Sequence, residues 1–198
     1  MSRVFIWSNG NPYSSEKEYG EAIEKSRIGG DEGDINVFIN KFLPLRLCKG
    51  RFENTHNLSI HRIHESNNKF GFGFWGNAEL ETSEALFKRS FLLSSDGHSC
   101  YELSKDRICN KDYNLDLGNP NWTLQDEDCF KGYPEDKIYK QTTGFLAFFL
   151  MKRMFPDKEI VLVNFGVRDQ VFKNTATIHG IEFEDRYFNE KGIKREFI

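Results

Sequence analysis

His179 stands five positions before Glu184 in the stretch TIHGIEFED, Thr177 to Asp185, and it is the single histidine of the last hundred residues. A neutral imidazole with an ordinary pKa near 6.5 can take a proton from a hydroxyl at neutral pH, so His179 is a candidate general base and Glu184 its candidate carboxylate partner. Five positions do not fall on one stripe of an ideal helix. Direct contact between the two therefore requires His179 to lie just ahead of the helix, and Glu182 competes for the role. Taken alone, His179 is more simply read as a polar residue making a local cap at the start of a surface helix, and it is the company of three further polar clusters that brings the base reading level with that one.

Three further polar clusters carry chemistry. Ser8-Asn9-Gly10 follows an apolar run and precedes a helix start at Ser14 or Ser15. Free backbone N–H groups at the positive end of a helix suit an anion or a ribose there, and an ordinary Asn-Gly turn is the plainer alternative. Asn40 ends a second apolar run, where an amide can read a sugar hydroxyl or a base edge with donor and acceptor together, or simply cap the strand. Lys140-Gln141-Thr142-Thr143-Gly144 places hydroxyls and amides at another helix start, an arrangement friendly to phosphate and also sufficient as an N-cap. Neither the G-x-G-x-x-G fingerprint nor a P-loop is present, which removes the main support for common NAD and ATP sites.

The elements that would position these clusters are legible at both ends of the chain. RVFIWSN, Arg3 to Asn9, reads as a buried strand, SSEKEYGEAIEKSR as a capped amphipathic helix stopped by Gly29 and Gly30, and DINVFINKF, Asp34 to Phe42, as a second strand. That is a βαβ unit, whose parallel strands open a ligand crevice at their carboxyl ends. In the second half, QTTGFLAFFLMKRMF reads as an apolar helix capped by Thr142 or Thr143. KEIVLVNFG follows as a strand buried on both faces, HGIEFEDRYFNEKG as an amphipathic helix with a glycine stop, and IKREFI as a terminal strand. Between them NLSIHRIH and FGFGFWG suggest strands, ETSEALFKRSF a helix, and Asp96 to Pro134 a run of polar loops or a lid. The expected fold is α/β, doubly wound, with a mostly parallel Rossmann-like sheet, helices on both faces and a loop-rich central insertion, all in one domain over residues 1–198.

Composition sets limits. The chain has 198 residues, 27 basic and 30 acidic side chains, and a net charge of −3. No basic block offers a general grip on nucleic acid, so no nucleic-acid partner is expected. Nineteen phenylalanines point to an aromatic core. The beginning of the chain lacks a signal-peptide pattern, and GFLAFFLM is too short to span a bilayer. Cys48, Cys100, Cys109 and Cys129 lack CxxC spacing, so reduced thiols in a cytoplasmic protein are the expectation.

VFIWSNGNP, DINVFIN, TTGFLAFFLMKRMFPDKEIVLVNFG and HGIEFE occur in the order and character of the sialylmotifs of CMP-sialic-acid-dependent sialyltransferases, including the bacterial lipooligosaccharide type, and about half of the chain resembles that family. The resemblance implies an inverting transfer of sialic acid, or of a related keto-sugar acid such as Kdo, from its CMP ester to a hydroxyl of a surface glycan or glycolipid. It implies His179 as base with Glu184, and nucleotide contacts from Asn9, Gly10, Asn40, Lys140, Thr142, Thr143 and Gly144. CMP is already a good leaving group, so neither a metal nor a further cofactor is required. The implied location is cytoplasmic, with peripheral docking on the inner face of the membrane compatible with a lipid-linked acceptor. The sequence departs from the family at Ser8, where Gly is usual, at Phe38, where Arg is usual, and in lacking tyrosines after VLVNFG, which leaves Arg168 or Lys173 to face the leaving phosphate.

Two rivals belong to other classes. A nucleotide-binding or scaffold protein of the same fold would keep the clusters without turnover. Cys48, His56, His61 and His64 carry zinc-type donors, although His61 and His64 cannot share one face of a strand.

Overall fold

The computed structural model describes residues 2–40, 42–64, 73–74, 87–93, 100–103, 109–113, 142–166 and 181–198. The strands are β1 (Arg3–Trp7), β2 (Ile35–Ile39), β3 (His56–His64), β4 (Gly73–Phe74), β5 (Phe87–Leu93), β6 (Cys100–Leu103), β7 (Cys109–Tyr113), β8 (Glu159–Val163) and β9 (Lys194–Glu196). The helices are α1 (Glu16–Lys25), α2 (Leu43–Leu47), α3 (Lys49–Phe52), α4 (Thr143–Met154) and α5 (Ile181–Glu190). The strands form one sheet in the order β7-β6-β5-β3-β2-β1-β8-β9, with β4 antiparallel on β3. The six strands from β5 to β9 along that order are all parallel, and β6 and β7 add an antiparallel edge. The α/β class expected from the sequence is the fold observed.

Side-chain alternation divides the interior into two cores. Phe5 and Trp7 of β1, Phe38 of β2, and Val161 and Val163 of β8 pack with Tyr19 and Ile23 of α1, Leu45 of α2 and Phe52 of α3. Val4, Ile6, Ile35, Val37, Ile39, Leu58, Ile60 and Leu162 face the other way, onto Phe145, Phe148 and Phe149 of α4 and Tyr187 and Phe188 of α5. All five residues of β2 are buried, as a strand covered by helices on both sides requires. The many phenylalanines are explained here, since Phe145, Phe148 and Phe188 meet edge-to-face at 5.3 to 5.5 Å between ring centres. Asn36, buried between the strands and α1, accepts from the Trp7 indole at 2.9 Å and donates to the Gly29 carbonyl at 2.9 Å. Gly29 has φ +66°, and a Cβ there would sit 2.1 Å from Asn36 Oδ1, so glycine is required at that turn.

From β1 the chain moves through β2 to β3 in one direction along the sheet, and the β8–β9 unit runs in the other. Moving oppositely with the same crossover hand puts α1 to α3 on one face and α5 on the other. The direction reverses between β1 and β8, and the carboxyl ends of those two strands form the topological switch point.

Three expectations are corrected. The run ETSEALFKRSF, read as a helix, enters strand β5 from Phe87 onward. The pairing with β3 shifts register between Asn57 and Leu58, so Lys88 is bulged out. Phe87 then packs with the α1-side core and Phe91 with the α4-side core, so the alternation of a regular strand is broken. Within Asp96 to Pro134, read as loops, Cys100–Leu103 and Cys109–Tyr113 are antiparallel strands that extend the sheet beyond β5, with Cys109–Tyr113 outermost. The second strand, read to Phe42, stops at Ile39, because Asn40 and Phe42 adopt left-handed backbone at φ 50° and 51°.

Candidate functional site

The polar clusters converge where the parallel strands end. α4 precedes β8 and runs against the strands, so its first turn lies at their carboxyl rim. Asn40, one residue beyond β2, donates from Nδ2 to the Thr143 hydroxyl at 3.2 Å across 103 positions of sequence. Its backbone N–H is tied to the Ile60 carbonyl at 2.9 Å, and asparagine tolerates the left-handed conformation better than most residues. Asn40 is partly exposed, whereas its Oδ1 is buried and unpaired among the described residues.

Asn9 binds the loops after β1 and β2 together. Its Nδ2 donates to the Ile39 carbonyl at 2.9 Å, and its Oδ1 accepts the Leu43 N–H at 3.1 Å. Ser8 occupies the place of the expected glycine and has work of its own: its N–H donates to the Val163 carbonyl at 3.1 Å and its hydroxyl to the Asn164 carbonyl at 2.7 Å. The same oxygen accepts the Gly10 N–H at 3.1 Å, which closes the turn. Phe38, where the family has Arg, is fully buried and stacks on Trp7 at 6.1 Å.

Thr142 and Glu184, expected to act in different roles, bind each other. One Glu184 oxygen accepts the Thr142 N–H and the other the Thr142 hydroxyl, both at 2.6 Å. The Thr142 hydroxyl in turn accepts the Phe145 N–H at 3.1 Å as the helix cap. A buried carboxylate thus sits at the positive end of α4, a place where a bound anion would also be stabilised. Gly144 serves packing: a Cβ there would lie 2.5 Å from the Phe165 ring, so glycine lets that ring close over the first turn.

His179 and Lys140 lie outside the described residues, as do Arg168 and Lys173. Glu184, the proposed partner of His179, lies on α5.

Two residues were missed. Asn164 ends β8 as Asn40 ends β2, with left-handed backbone at φ 56° and no exposure to solvent. Its amide donates to the Tyr19 hydroxyl at 2.8 Å and accepts the Ile198 N–H at 2.9 Å. The signal was present, an asparagine closing an apolar strand. Arg195 of β9 binds the Asp185 carboxylate and carbonyl, each at 3.0 Å, and its guanidinium stands beside Gly166 just beyond β8. Burial pushes the Tyr19 phenol up to about 12, so it stays protonated at neutral pH as the partner of Asn164.

Among the described residues no three His, Cys, Asp or Glu side chains form a metal-binding group. Cys48 is buried against the Gly20 carbonyl, and His61 meets the Phe42 ring edge-on at 4.6 Å. No helix of the described residues is long and apolar enough to cross a membrane.

The rim of the sheet therefore gathers Ser8, Asn9, Gly10, Asn40, Thr142, Thr143, Asn164 and Glu184. No family model, curated protein or solved structure matches this chain.

Proposed function

We propose that the chain is an inverting glycosyltransferase of sialyltransferase-like type, transferring sialic acid or a related keto-sugar acid such as Kdo from a CMP-activated donor to a hydroxyl of a surface glycan. The observation that supports this reading most is the Asn40–Thr143 hydrogen bond. It joins the end of β2 to the start of α4 at the carboxyl rim, where open α/β sheets bind nucleotides. The motif resemblance supplies the donor class. In this reading Asn9 and Gly10 shape the first loop, Asn40 and Thr143 meet the nucleotide, and Thr142 holds the helix start in place. His179 removes the acceptor proton as the hydroxyl attacks the anomeric carbon; the bond to the phosphate oxygen breaks and CMP leaves with its electron pair. Glu184 acts chiefly as a positioning residue, since both of its oxygens engage Thr142. Lys140, Arg168 and Lys173 are the cations proposed for the phosphate and sugar carboxylate. The donor is a cosubstrate, no metal is required by this chemistry, and the reaction is placed in the cytoplasm, at or near the membrane face that carries the acceptor.

The engagement of Glu184 by Thr142 favours one alternative, a nucleotide-binding protein of the same fold without turnover. Calorimetric titration with CMP, UDP and NAD, followed by donor turnover in the wild type and in His179→Ala, separates the readings. Selective CMP binding with turnover lost in the variant is expected. CMP binding without wild-type turnover selects the silent protein, and no preference for CMP overturns the proposal.

A further inference from the structure

The loop between β1 and α1 holds a tyrosine with one side given to the protein and much of the rest open to water. Tyr13 is 39 % exposed, whereas most large apolar and aromatic side chains of the described residues are buried or half-buried. Its ring stacks on that of Tyr19, with centres 6.0 Å apart and planes within 20°. Tyr19 is fully buried and is fixed at its hydroxyl by Asn164, the residue that closes β8. The loop backbone is fixed as well: the Tyr13 N–H donates to Asn11 Oδ1 at 2.9 Å, and Ser15 caps α1 two residues on. A flat aromatic face is thus held in position beside the switch point, anchored through Tyr19 and Asn164 to the ends of both strands that form it. Resting on Tyr19 and fixed at its backbone, the Tyr13 ring offers a preordered flat surface, so little further ordering is needed for a second ring to stack on it.

We infer that Tyr13 is the stacking platform for the base of the nucleotide, and so a base-binding residue of the rim. This inference rests on the nucleotide reading above. Stacking needs a π-face and no hydrogen-bond code, so Tyr13 supplies affinity for a base as such, while Asn40 and Thr143 act on the polar part of the ligand. The base would then lie toward the α1 side of the sheet and the sugar and phosphate toward α4. The phenol of Tyr13 is not needed for this, only its ring.

The test compares CMP with ribose 5-phosphate, which lacks the base, in calorimetric titrations of the intact chain and of Tyr13→Ala, Tyr13→Phe and Asn40→Ala. Tyr13→Ala is expected to weaken CMP roughly tenfold and leave ribose 5-phosphate unchanged, while Tyr13→Phe binds CMP as the wild type does. A loop that merely collapsed without Tyr13 would weaken both ligands alike, and that result overturns the inference. If Asn40→Ala weakens CMP and Tyr13→Ala does not, this inference falls and the nucleotide reading stands. If the wild type binds neither ligand, both fall together.

Discussion

Asn40 combines two properties that substitution can separate. Its backbone is left-handed and its amide reaches Thr143. Alanine at this position would lose the amide and meet the steric penalty of positive φ, a loss of about 1–2 kcal/mol. Glycine loses the same amide without that penalty, so chemical denaturation should find Asn40→Gly the more stable variant by about 1 kcal/mol. Both should weaken CMP alike, which assigns the binding effect to the amide and not to the loop. Tyr19 gives a test in alkaline solution. Its folded-state pKa of about 12 lies above the ordinary value of 10.0 because burial opposes the phenolate. The folded protein then holds the proton longer than the unfolded chain, so the contribution is intact below pH 10 and is lost as the pH rises toward 12. Stability measured between those limits should fall less steeply in Tyr19→Phe than in the wild type.

At the scale of elements, the Glu184–Thr142 pair couples the starts of α4 and α5. Glutamine at 184 keeps one acceptor oxygen and turns an NH₂ toward a donor, which costs about 2 kcal/mol for a buried pair of this kind. Thermal unfolding of Glu184→Gln should show a melting temperature lower by about 4–8 °C for a chain of this size. A change of less than 1 °C, or about a few tenths of a kcal/mol, would show that the coupling adds nothing. The same elements show what sequence patterning can and cannot carry. β1, α1, α4, β8 and α5 were legible because apolar runs, caps and glycine stops agree with the final packing at each of them. β5 was not, because a bulge at Lys88 turns Phe87 and Phe91 to opposite faces and so breaks the alternation that marks an extended strand. α2 and α3, of 5 and 4 residues, are too short to show a period. The rim was legible in part, since asparagines and threonines at strand ends and helix starts announce themselves. Asn164 carried the same strand-end signal as Asn40, whereas Arg195 escaped notice because its role depends on Asp185, 10 positions away on a different element, a pairing that local pattern does not reveal.

On the scale of the whole molecule, a parallel sheet covered on both faces holds its strand ends in fixed register, and that rigidity is what lets loops from distant parts of the sequence form one rim. β3, β2 and β1 lie in the interior of the described sheet, so their amides should exchange most slowly with solvent and at a common rate set by global unfolding. Exchange of β1 as fast as that of β9 would mean that the two halves open independently. Whether the rim is the ligand site is a question of location, and it is answered most directly by backbone NMR during a titration with CMP. Shifts should concentrate at Ser8 to Tyr13, Asn40, Thr142 to Gly144 and Asn164, with the opposite rim at the amino ends of the strands, around Asp31, Asp34 and Lys158, unmoved. No saturable shifts, or shifts centred on that opposite rim, would contradict a nucleotide site at the carboxyl ends.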